Sequence, residues 1–254
     1  MTELDGKTVL VTGASRGIGA ACARALGAQG ATVIAHYGSH REGAESAVST
    51  FPKERAFLVQ ADMATPGAAR ELWRAVLARY ERVDVVVVNA ATSIQTPFEA
   101  TDEEWDLGWE ETLRINVLEP VSLMREAVSH FRSSGGGILI TLSSWAAQQG
   151  SAIPDLPAYA ASKAAVQAAT QTVARAYGKE NVFAYVIAPG IVKTRMSEVS
   201  ISFRGGEDKV NAALALGRMV PAEEIGSLVA YLASGACTHL TGATLDVNGA
   251  SYVR

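Results

Sequence analysis

The chain has 254 residues, 48% of them apolar and 19% charged, with 23 glycines and a formal net charge of −4. That balance supports a packed α/β core and excludes a disordered chain. Lysines and arginines scattered along a mildly acidic sequence exclude the phosphate-neutralising stripe of a nucleic-acid binder.

No apolar run reaches the roughly 18 to 20 residues needed to span a bilayer, and the N-terminal stretch lacks the basic patch, apolar core and cleavage site of a signal peptide. A soluble, unprocessed, cytoplasmic protein is expected, with no membrane partner. In such a compartment Cys22 and Cys237 are expected as reduced thiols.

In chain order, residues 8–11 read as a strand, a short run rich in β-branched side chains, and 17–29 as a helix. Strand 32–35 and helix 41–50 follow, then helix 66–80, strand 83–88 and a long helix near 113–131. Strand 137–142, helix 159–177, strand 182–187, helix 222–233 and strand 243–247 complete the series. Strands apolar at successive positions are buried on both faces, and strand alternating with helix implies a parallel sheet covered on both sides. No linker or repeat divides the series, so residues 1–254 are expected to form a single doubly wound α/β domain. Residues from about 193 to 217 lack clean periodicity and are expected as a mobile flap over the substrate side, with an ordinary solvated connection as the alternative.

The first strand runs into Thr12-Gly13-Ala14-Ser15-Arg16-Gly17-Ile18-Gly19, three glycines spaced G-x-x-x-G-x-G. Glycine suits a turn that must bring backbone close to a pyrophosphate at a helix N-terminus. After the second strand come His36-Tyr37-Gly38-Ser39-His40-Arg41, with no acid before Glu42 to accept from an adenosine ribose. NADP(H) is therefore expected in preference to NAD(H), with Arg16, Ser39 and Arg41 facing the 2′-phosphate.

Tyr159 and Lys163 stand four apart on a predicted helix and so share a face. A free phenol is a poor base at neutral pH, and a neighbouring ammonium is expected to lower its pKa toward the working range. Strand 137–142 ends at Ser143-Ser144, on the edge of the sheet where ligands bind, and one of the two hydroxyls is expected to meet the substrate oxygen. Asn116, polar within an apolar helix, either holds a buried water or bonds the neighbouring backbone. Trp145 is placed to wall the substrate pocket, as are Met196, Val199, Ile201 and Phe203 of the flap. The other tryptophans read as packing residues, and His36, His40, His130 and His239 as surface or capping residues without metal spacing.

Glycine turn, Asn, Ser, Tyr-x-x-x-Lys and Pro-Gly, in that order from Lys7 onward, resemble the short-chain dehydrogenase/reductase family, and most nearly its β-ketoacyl carrier-protein reductases. The resemblance implies a Rossmann-type fold and a hydride exchange between a carbonyl compound and a secondary alcohol. It makes Tyr159 the acid/base, Ser144 the orienting hydroxyl, Lys163 a pKa tuner and ribose ligand, and Asn116 the holder of a relay water. It also gives Asp62 and Met63 to the adenine, Asn89 and Ala90 to the cofactor's flank, and Pro189, Gly190, Val192 and Thr194 to the carboxamide. The segment from Gly242 to Gly249 resembles the family's last strand, used in tetramer packing, so a homotetramer is implied first and a dimer second.

Two departures stand out. Val88-Asn89-Ala90-Ala91 replaces the family's Asn-Asn-Ala-Gly, which puts the bracing of that strand in question. The stretch from Ser144 to Tyr159, with Pro154 and Pro157, is longer than usual by about two residues, on the substrate side. Carrier-protein reductases dock an acidic partner on basic residues, and here only Arg132 and Lys179 lie near the corresponding surface, so a small free carbonyl or alcohol is expected over a carrier-bound acyl chain. A dinucleotide-binding sensor or scaffold is the non-catalytic alternative. Hydrolysis through Ser144 lacks the G-x-S-x-G elbow.

Overall fold

The computed structural model describes residues 3–253, apart from the side chains of residues 199 and 200. Seven parallel strands lie in the order β3-β2-β1-β4-β5-β6-β7. They are β1 (Thr8–Val11), β2 (Thr32–Tyr37), β3 (Ala56–Gln60), β4 (Val85–Val88), β5 (Gly137–Leu142), β6 (Val182–Pro189) and β7 (Thr244–Val247). The chain steps outward from β1 to β3, then returns to pair β4 beside β1 with Val9 opposite Val85, and continues the other way. The carboxyl ends of β1 and β4 thus flank the point where the order reverses, the usual ligand crevice of such sheets.

The helices are α1 (Gly17–Ala28), α2 (Arg41–Val48), α3 (Ala68–Leu77), α4 (Asp102–Leu113), α5 (Glu119–Ser133), α6 (Ala146–Gln149), α7 (Pro157–Tyr177), α8 (Glu198–Phe203), α9 (Glu207–Ala213) and α10 (Ala222–Ala233). Strand side chains alternate between two cores. Val9, Val33, Val85 and Ile140 pack against α1, α2 and α10, while Leu10, Ile34, Val86 and Leu139 pack against α3, α5 and α7. Burial on both faces is what the unbroken apolar runs require. On one edge of the β1–β4 pair, the buried Asp84 carboxylate accepts from Thr8 N at 2.9 Å and Arg82 Nε at 2.7 Å.

Three elements differ from the sequence reading. β3 is an additional strand at the sheet edge, mostly half-buried, so its apolar alternation is diluted. The predicted helix near 113–131 is the second half of a longer one. It begins as α4 behind a Thr101–Glu104 capping box and passes through a π turn at Arg114–Leu118. Pro120 gives the turn a cause, because it has no N–H for the carbonyl of Asn116 four residues back and its ring crowds that carbonyl. Finally, the segment expected as an irregular flap carries two short helices joined by a glycine turn. α8 and α9 close a small apolar cluster in which Ile191, Val210 and Met219 meet Trp145, Ile201 and Leu214.

Candidate active site

The glycine turn is held from three sides. Gly13 and Gly17 adopt positive φ values of 68° and 52°. At Gly19 a Cβ would overlap the Gly13 carbonyl and lie 2.5 Å from Asn89 Nδ2. Asn89 Nδ2 donates to Thr12 O at 2.9 Å and Gly13 O at 3.2 Å, and Thr12 Oγ1 accepts from the backbone N–H groups of Asn89 and Ala90. The bracing put in question by the Asn-Ala-Ala sequence is therefore supplied by Asn89 with Thr12.

The third support is His36, which the sequence reading placed at the surface or on a cap. β2 runs past Ala35, so His36 lies in the strand and is buried. Its Nδ1 accepts from Gly13 N at 3.1 Å, which leaves the proton on Nε2 to donate to Ala61 O at 2.9 Å. One imidazole thus ties the glycine turn to the end of β3. Burial lowers the His36 pKa, against an upward pull from the Ala61 carbonyl, and favours this neutral form. The next histidine, His40, caps α2 by accepting from Gly43 N at 2.8 Å. Gly43 itself comes so close to the turn that a Cβ there would overlap the Ser15 carbonyl.

A cleft of about 600 Å³ opens above the strand ends between these elements. It gathers all the residues assigned to the cofactor except Arg41, Pro189, Gly190 and Val192. The last three line an adjoining cleft of about 330 Å³, together with Ser144 and Trp145. Arg41 lies outside both, its Nε paired with Glu45 Oε1 at 2.8 Å across one turn of α2. Arg16, by contrast, is exposed on the larger cleft and forms no ion pair among the described residues.

Tyr159 and Ser143 line both clefts, as do Ile18, Ser93, Thr194 and Met196. The long stretch before Tyr159 contributes Ser151, Ile153 and Leu156 to the smaller one. Of the flap residues expected to make apolar contacts, Met196 meets both clefts, Ile201 joins the small cluster and Phe203 is exposed. The side chain of Val199 lies outside the described residues.

Ser143 and Ser144 divide their work. Ser143 Oγ donates to Lys163 O at 2.9 Å and joins β5 to α7. Ser144 Oγ accepts from Ala146 N at 3.1 Å, and its hydroxyl draws the pKa of the Tyr159 phenol down. Lys163 Nζ lies 5.8 Å from the centroid of the Tyr159 ring and donates to Leu142 O at 2.9 Å. The shared helix face is as expected, but the direction of the phenol shift is not. Burial pushes Tyr159 above its ordinary value, and the downward pull comes from Ser144. Burial also lowers the Lys163 ammonium, to about 8.

Asn116 is buried, and its side-chain amide makes three hydrogen bonds. Oδ1 accepts from Thr92 N at 2.8 Å, while Nδ2 donates to Thr92 O at 2.9 Å and Ser162 Oγ at 3.0 Å. Both amide hydrogens are thus held within the protein, so a relay water of the kind the resemblance implied would meet Asn116 at an acceptor oxygen. Ser162 donates onward to Tyr159 O at 2.7 Å, so this chain of bonds links the loop after β4 to the backbone of the tyrosine.

The model of a family described as enoyl-(acyl carrier protein) reductase matches residues 13–250. A 3beta-hydroxysteroid dehydrogenase of Eggerthella lenta is 32% identical over 97% of this chain and 94% of its own. A versicolorin reductase of Emericella nidulans is 33% identical over 98% of this chain and 97% of its own. Among solved structures, a 3-oxoacyl (acyl-carrier-protein) reductase from Agrobacterium tumefaciens with NADP bound superposes with a TM-score of 0.86 at 29% identity, covering 97% of this chain and 94% of that one. The fold and these relatives define an oxidoreductase acting on CH–OH groups, which displaces the binding-only alternative. The chain belongs to the short-chain dehydrogenase/reductase family.

Proposed function

We propose that the protein interconverts a carbonyl compound and a secondary alcohol with NADP(H), and that Tyr159 exchanges the proton at the reacting oxygen. The observation that carries this reading is the position of Tyr159 on the wall common to the two clefts, with Ser144 beside it in the smaller one.

The larger cleft fits a dinucleotide, because the glycines at 13, 17 and 19 leave backbone where side chains would otherwise stand. The glycine turn would hold the pyrophosphate, Arg16 and Ser39 the 2′-phosphate, Asp62 and Met63 the adenine, Lys163 the nicotinamide ribose, and Thr194 the carboxamide. When bound, the nicotinamide supplies or accepts the hydride. In the reducing direction the Tyr159 phenol, kept protonated by burial, donates its proton to the carbonyl oxygen while Ser144 hydrogen-bonds the same atom. With a pKa of about 8, Lys163 remains largely charged at neutral pH and stabilises the phenolate left behind. Asn116 acts as a positioning residue through Ser162.

A carrier-bound acyl substrate is the second reading, favoured by the likeness to the 3-oxoacyl reductase. The charge pattern weighs against it, since the Arg132 guanidinium is held by Glu180 at 2.6 Å and lies over the Tyr177 ring. Assembly into a homotetramer is part of the proposal, supported by the exposed apolar side chains of Phe98, Leu107 and Leu118 around α4.

The test is steady-state reduction of a ketone panel with NADPH and with NADH, alongside Tyr159→Phe. NADPH is expected to be the better coenzyme, and the variant to lose about 10²- to 10⁴-fold in turnover while keeping its NADPH affinity. Unchanged turnover would refute the role of Tyr159, and comparable Michaelis constants for the two coenzymes would refute the preference.

A further inference from the structure

The smaller cleft has a property that its reaction chemistry does not use. Among the described residues, Arg204 is the sole charged side chain lining it, and the polar groups around it are neutral, among them Gln149, Ser151, Ser197 and Ser251. No carboxylate of the protein lies in this wall to balance the guanidinium, and Arg204 takes part in no ion pair among the described residues. Its Nε is shielded from solvent and donates to no acceptor among them. Buried donors in folded proteins are almost always paired, so a shielded N–H without an acceptor points to a partner from outside the chain.

The position of Arg204 is set by the backbone. It follows the last residue of α8, and Gly205 and Gly206, with φ of 83° and 111°, turn the chain into α9. Gly206 N donates to Ile201 O at 2.9 Å and closes this turn. The apolar cluster of Ile201, Val210 and Leu214 with Trp145 fastens the same segment to the wall of the cleft. The guanidinium is therefore carried by an anchored element.

We propose that Arg204 is a specificity-determining residue that selects substrates bearing a carboxylate in addition to the reacting carbonyl. A guanidinium presents N–H groups in a planar fork that matches a carboxylate, and such charge-assisted bonds are stronger in a partly enclosed, otherwise uncharged site. Trp145, Ile153 and Ile191 supply the apolar wall for the carbon frame between the two polar ends. This inference deepens the oxidoreductase reading and rests on it for the identity of the cleft.

The experiment pairs para-acetylbenzoate with its neutral counterpart para-acetylbenzamide. Each is titrated calorimetrically against the protein saturated with NADP, and each is then assayed for NADPH-dependent turnover. The wild type is expected to bind the carboxylate at least about tenfold more tightly than the amide. Arg204→Gln is expected to bring that ratio close to one with the amide unaffected, and Arg204→Lys to retain part of it as a point charge. Equal binding of the two probes by the wild type would overturn the proposal, and so would a preference that survives in Arg204→Gln. Charge-selective binding without turnover would support Arg204 as the anion ligand while refuting the catalytic reading, so the two failures are distinguishable.

Discussion

Replacing His36 with alanine should damage the fold and the cofactor cleft together. The imidazole satisfies two main-chain groups, the N–H of Gly13 and the carbonyl of Ala61, and it is buried. Removing it strands both, at about 1–3 kcal/mol each, so the expected loss is about 2–6 kcal/mol out of a total stability on the order of 5–15 kcal/mol. The same contact carries a pH dependence. Burial sets the folded-state pKa of His36 below 6.5, so between 6.5 and that lower value the unfolded chain binds more protons than the folded one. The stabilisation is therefore complete above 6.5 and is lost as pH falls through the folded pKa. Protonation also places an N–H on Nδ1, facing the N–H of Gly13. Urea unfolding followed by tryptophan fluorescence, at about pH 7.5 and about pH 5.5 for wild type and His36→Ala, measures both effects. A loss below about 1 kcal/mol, or equal acid destabilisation of the two proteins, would refute the reasoning.

Gly19→Ala should weaken NADPH binding by on the order of 10²-fold, because its Cβ displaces the Gly13 carbonyl or Asn89; calorimetric titration measures it, and circular dichroism should show the helices retained. Asp84→Asn should cost about 1–3 kcal/mol, since it removes the charge and turns one of the two oxygens that accept from Thr8 N and Arg82 Nε into a donor. Burial raises the Asp84 pKa, but bonds from Arg82 and Thr8 and the charges of Lys7 and Arg82 bring it below 3.8 overall. Its contribution is thus present above 3.8 and disappears as pH falls through the folded value, so the variant should show a flatter acid-denaturation curve. Reduction should slow above about 8 as Lys163 loses its proton, and a pH–rate profile of Lys163→Arg should move that decline upward.

The sheet was legible because its strands are buried on both faces, which writes runs such as Val85–Val88 directly into the sequence. β3 escaped because an edge strand needs fewer apolar residues. α4 could have been read from Thr101 and Glu104, the two ends of its capping box, which are independent of any apolar stripe. The site was legible where one motif supplies the geometry, as for Tyr159 and Lys163. It was not legible where burial decides. His36 looks like a loop residue until β2 is seen to run past it, and the surface pairing of Arg41 with Glu45 across one turn of α2 has no signature beyond their spacing. The direction of the Tyr159 shift follows the same rule, because desolvation acts through the whole pocket and a pairwise reading of Lys163 omits it.

The contact between Gly43 and the Ser15 carbonyl limits how coenzyme choice can be altered. Residues 39 to 42 look like an exchangeable cassette, short and at the surface. Yet the helix they open is seated directly on the loop that would cradle the pyrophosphate, with no gap to absorb a larger side chain at position 43. A redesign toward NADH that exchanges the cassette and keeps this glycine should leave that cradle intact, whereas one that extends through it would pry α2 from its seat.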